Sequence, residues 1–154
     1  MIADIVKQYC DKTIKDLIQS YESKGLRASG RYARELKSIV TSSGTKINAK
    51  ITGPIEAIFM EQGRGPNRAP SHQAVKNLGW YLKQWVADKG IDVNPYAAAH
   101  KIVYQGIQVP NPHNPGGVIS DVINDNWFKE LSELLSADKI ISIKSDVLKQ
   151  FKSN

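Results

Sequence analysis

At 154 residues, with 41% hydrophobic and 23% charged side chains, the chain has the composition of one folded domain with a proper core, which excludes wholesale disorder and leaves little room for a second domain. A formal charge of +6 favours acidic partners, nucleic acid and acidic proteins alike, and the single cysteine, Cys10, cannot form an internal disulfide. No apolar run approaches the roughly 18 residues that a spanning helix needs, since Asp4, Lys7 and Asp11 interrupt the first stretch.

The chain therefore reads as mature, soluble and unexported, with Cys10 as a buried thiol in a reducing compartment. Ile2, Ile5, Val6, Tyr9, Ile14, Leu17, Ile18 and Tyr21 recur at near-helical spacing, which predicts a long amphipathic helix over residues 2–22, ended by Lys24 and Gly25. Ser29 is expected to cap a second helix near 30–41 that buries Tyr32, Leu36, Ile39 and Val40. Opposite that stripe fall Arg27, Arg31 and Arg34, with Lys24 and Lys37 at the edges. This basic face is either simply solvated or a contact for DNA or an acidic partner.

After the turn-rich "TSSGTK", Ile47, Ala49 and Ile51 alternate with polar residues as in a half-buried strand. Pro54 and Glu56 then suit the first turn of a short helix, preferred over a second strand, with Ile55, Ile58 and Phe59 on one face and Gly63 as its end. Ser71 caps the clearest helix, 72–89, whose expected core stripe is Val75, Leu78, Leu82, Trp85 and Val86. Trp80 lies off that stripe among Gln73, Asn77 and Gln84, where it calls for a cover supplied by a loop of its own chain or by another subunit.

Asn94 and Pro95 open a further helix that runs to Gly106. The proline-rich "VPNPHNPGG" is expected to be a rigid polar loop reaching outward, followed from Val118 by a helix bent near 124–126. The β-branched run that opens "DKIISIKSDVLKQF" is read as a strand pairing with 46–52. The predicted class is α+β: a helix-dominated single domain with a small β-sheet.

Patterns that carry chemistry are sparse. "GRGP" lacks the spacing of a phosphate-binding loop, and Pro66 removes an N–H that such a loop would use. His72, His100 and His113 are dispersed, with no second His or Cys one helical turn away to build a metal site. There is no nucleophile elbow, and Glu61 near Arg64 reads as a structural ion pair rather than an acid or base. The chain is expected to be no enzyme and to need no metal or cofactor.

At "FMEQGRGP", preceded by "ITGPIEAI", the sequence resembles the tailed-bacteriophage head-tail connector family, the neck or tail-completion proteins. The order of parts is also similar: an N-terminal helix, an "ASGRYARELK"-like second helix, a strand, a segment ending in E-x-G-x-G-P, and a following helix. The likeness covers about residues 10–91, and "NPGGVISDVIND" is similar to longer members. Many shorter members continue with a Pro-Phe-Leu segment, where this chain has "NRAPSHQAVKNLGWYLKQWVADKGI".

The resemblance implies a non-enzymatic virion protein, assembled in the bacterial host cytoplasm as a homo-oligomeric ring around the DNA channel. Its neighbours would be a portal or adaptor protein and tail proteins, with DNA nearby and no membrane. A ring interface joins two different patches, so a stiff protruding element suits it. Under this reading Glu61, Gly63, Arg64, Gly65, Pro66 and Arg68, together with Trp80 and the proline loop near Pro112, are expected at contacts; an ordinary surface turn is the simpler alternative for the loop. The alternative function is a basic nucleic-acid-binding protein acting through Arg27, Arg31 and Arg34, against which no base-reading motif is visible.

Overall fold

The structure, a computed structural model, describes residues 2–135. Its order is α1 (Ile2–Ser23), α2 (Arg31–Glu35), β1 (Lys37–Ser43), β2 (Lys46–Thr52), α3 (Glu56–Gln62), α4 (His72–Lys89), α5 (Pro95–Gln105) and α6 (Asp125–Leu134). The helix-dominated α+β class with a small sheet is what these elements form.

Helix α1 is the spine of the main core. Val6, Tyr9, Cys10, Thr13, Leu17 and Tyr21 follow the 3.6-residue period and are buried, while Lys7 and Lys12 pair with Asp11 and Asp16 one turn on along the solvent side. The β1–β2 hairpin packs on this helix. Its antiparallel register sets Ser38 opposite Ile51 and Val40 opposite Ala49, closed by a two-residue turn at Gly44 and Thr45. Ile47, Ala49 and Ile51 point into the core as the alternation requires. On β1, Ser38 Oγ donates to Asp11 Oδ1 at 2.6 Å, and Lys7 Nζ reaches both groups. The Asp11 carboxyl is held below the usual range by Lys7 first and then by Ser38.

The second helix is far shorter than the expected 30–41. It stops at Glu35 because Leu36 turns to extended backbone, and the rest of that stretch is β1. Gly30, in the left-handed region, occupies the cap position with no side-chain bond, while Ser29 Oγ accepts only from the Arg31 N–H at 3.3 Å. Tyr32 and Leu36 are buried as expected, but Ile39 is on the solvent face of the strand and 52% exposed. The partner of β2 is thus β1; the proposed pairing with 138–151 lies outside the described residues.

The segment from Val118 is two elements, not one bent helix. Val118, Ile119 and Ile123 are buried in a run of turns, and Asn124 then accepts from the Trp127 N–H to start α6 afresh. Trp127 and Leu131 join the main core against α1. A polar chain inside that contact fixes its register: Trp127 Nε1 donates to Thr13 Oγ1 at 2.8 Å, Thr13 Oγ1 donates to Tyr9 O, and Tyr9 Oη shares its one proton between Trp127 O and Glu130 Oε2, both at 3.1 Å. Burial, reinforced by Glu130, pushes the Tyr9 phenol well above its ordinary range, and burial likewise pushes the Cys10 thiol up.

Helices α4 and α5 form an αα-hairpin with a small core of its own: Val75, Ala99 and Val103, joined by Ala74, Leu78 and Leu82. Ser71 and Asn94 cap the two helices as the sequence predicts, accepting from Ala74 N and from Tyr96 and Ala97 N. The Tyr96 ring lies directly on Gly79, where a Cβ would come within 2.3 Å of it. Trp85 departs from the expected stripe. A single partner helix buries only a narrow strip, so Trp85, on the flank, stays 40% exposed with Lys89 above its ring.

Candidate functional site

The loop that opens the hairpin and the strand-like segment that closes it cross each other. The Arg64 N–H donates to Ile107 O at 2.8 Å, the Ile107 N–H donates to Arg64 O at 2.6 Å, and the Asn67 N–H donates to Val103 O. Two glycines make this crossing close enough. A Cβ at Gly63 would stand 2.3 Å from Ile107 O, and one at Gly106 would stand 2.2 Å from Arg64 O. Both have φ near +75° with ψ near 180°, a region essentially reserved for glycine. Gly65, by contrast, has ordinary φ and open space around it.

The first half of residues 61–68 is therefore tied down within the chain. The Glu61 carboxylate accepts from the Ile119 and Ser120 N–H groups at 2.8 and 3.3 Å, and it makes no ion pair with Arg64. Gly63 is buried, and the Arg64 guanidinium bonds to Asn67 Oδ1. Gly65, Pro66 and Arg68 are exposed. The proline loop reaches outward less than its composition suggests: Pro110, Pro112 and His113 are exposed, but Asn114 is buried and donates to Met60 O at 2.8 Å. Residues 60–67, 103–114 and 119–120 thus form one stitched base beneath the α4–α5 hairpin.

On that base the hairpin presents aromatic surface. Trp80 is 66% and Tyr81 69% exposed, their rings in edge-to-face contact at 5.2 Å, and Tyr96 and Tyr104 are exposed on α5. Among the described residues no loop covers Trp80.

The three arginines behave differently from one another. Arg27 pairs with Glu22 at 3.1 Å, Arg31 with Glu35 at 2.5 Å and Glu56 at 2.8 Å, and Arg34 donates to Ser29 O. Arg27 and Arg34 converge over Gly30, while Arg31 turns toward α3. Glu22 and Glu56, from outside the arginine stretch, supply compensating charge that the local sequence lacks.

A groove of about 540 Å³ runs between α1 and α6 past Lys12, Ser20, Lys24, Asp121 and Glu130. Its cations are already paired, Lys12 with Asp16 and Lys24 with Asp121. No group of three or more His, Cys, Asp or Glu among the described residues could hold a metal ion, and no helix among them is long and apolar enough to cross a membrane. Comparison with family models, curated proteins and solved structures finds no match to this chain.

Proposed function

We propose that the chain is a structural virion protein of a tailed-bacteriophage neck, assembling as a ring between the portal complex and the tail. The observation that carries the reading is the Trp80–Tyr81 pair, each ring about two-thirds exposed on a hairpin with a separately stitched base. Solvated rings of this size gain free energy when a partner covers them, and tryptophan and tyrosine are enriched at interface hot spots. The E-x-G-x-G-P resemblance supplies the family context, and the exposed Gly65, Pro66 and Arg68 beside the hairpin extend the available contact.

The nucleic-acid alternative draws less support, because the ion pairs at Arg27 and Arg31 compete with phosphates for those guanidiniums. Mixing the purified chain with portal complexes at low and high salt tests both readings. Salt-tolerant recruitment or ring formation is expected; a chain that stays monomeric, ignores the portal and binds duplex DNA with steep salt dependence would overturn the proposal.

A further inference from the structure

We infer that the hairpin of one copy docks on the exposed, acidic last turn of α6 of the next, with Trp80 covering Leu134. This rests on the ring reading above and names the two patches that such a head-to-tail contact would join.

Charge points to this pairing. On α4, Lys76 and Lys83 lie one turn before and one turn after Trp80, and neither forms an ion pair among the described residues. Helices α4 and α5 together carry Lys76, Lys83, Lys89 and Lys101 against Asp88 alone. Helix α6 has the opposite balance, Asp125, Glu130 and Glu133 against Lys129; Glu130 is held by Tyr9, and the exposed last turn presents Glu133 beside Leu134, which is 54% exposed. Each patch is an apolar centre flanked by charge, and the signs are complementary, which steers and registers a contact between unlike surfaces.

The area is also of the right order. At about 200 Å² per ring residue, the exposed fractions of Trp80, Tyr81 and Trp85 leave roughly 350 Å² of aromatic surface uncovered. A standard interface takes about 800 Å² per partner, so three rings supply nearly half of one side.

Sedimentation velocity over a range of concentrations tests the pairing with the full chain and single variants. Trp80→Ala is expected to weaken association at least tenfold with an unchanged circular dichroism spectrum. Lys83→Glu and Glu133→Lys, both on exposed faces, should each weaken it about three- to tenfold, and a chain carrying both reversals should recover most of the loss. Association unchanged in all three variants would overturn the inference while leaving rings, and hence the neck reading, intact. A wild-type chain that is monomeric at every concentration and with portal complexes would end both. Unchanged association in Trp80→Ala with lost binding to a single-stranded oligonucleotide would assign the rings to base stacking instead and overturn the docking.

Discussion

Replacing Gly63 by alanine perturbs the crossing at the base of the hairpin, together with the end of α3 that Gly63 caps. An alanine there must adopt φ +76° with ψ −165°, at a cost of about 1–3 kcal/mol. Its Cβ would also sit 2.3 Å from Ile107 O, a backbone atom that cannot rotate away. Relief requires the two strands to part, which sacrifices the paired Arg64–Ile107 hydrogen bonds, each worth about 0.5–1.5 kcal/mol net. The expected loss is about 4 kcal/mol, or a fall of about 10 °C in Tm for a chain of this length. Gly65→Ala, two residues on, meets nothing within 4 Å and has no positive φ, so its effect should stay within about 0.5 kcal/mol. Urea unfolding of the two variants and the wild type, followed by tryptophan fluorescence, measures the contrast. Equal losses, or a Gly63→Ala loss under about 1 kcal/mol, would refute the close crossing.

Trp127→Phe removes the donor to Thr13 Oγ1 and part of a large ring from the α1–α6 contact, and should cost about 2 kcal/mol against about 3–5 kcal/mol for Trp127→Ala. A denaturant midpoint unmoved by Trp127→Phe would show that the bond contributes nothing. Burial pushes the Tyr32 phenol above its ordinary value. The folded state thus favours the neutral form, and this contribution is present below about pH 10 and lost as pH rises through the folded value. Its buried hydroxyl has no hydrogen-bond partner among the described residues, so Tyr32→Phe should leave stability at pH 7 unchanged or about 1 kcal/mol higher and flatten the decline above pH 10. A loss at pH 7, or an unchanged alkaline slope, would contradict this. Arg68→Ala, on the exposed half of the loop, should preserve Tm within about 2 °C while impairing portal recruitment. A melting point many degrees lower would make Arg68 a folding residue instead.

What was legible in the sequence is what short-range chemistry fixes. Ser71 and Asn94 announce their helices because a cap acts over three residues, and the alternation through Ile51 marks β2 because one of its faces is buried. The stretch around Ile39 misleads: Tyr32, Leu36, Ile39 and Val40 fit a helical stripe, yet the β-branched Ile39, Val40 and Thr41 ahead of a turn at Gly44 are equally the first strand of a hairpin. Weighing that turn together with the strand after it would have found β1. Glu61 gave no usable signal, since the amide groups it binds lie 58 and 59 residues away. The same holds for Arg31, one of whose carboxylate partners is on α3. Trp80 was legible as off-stripe because periodicity alone places it opposite Val75, whereas Trp85 was not, because its exposure depends on how narrow a strip α5 covers.

The most direct measurement is a cryo-electron microscopy map of the purified chain, alone and mixed with portal complexes. The account predicts a closed ring in which the α4–α5 hairpin lies between adjacent copies with Trp80 excluded from solvent. A ring whose hairpins face only solvent, or a chain that stays a lone copy with and without portal complexes, would contradict it.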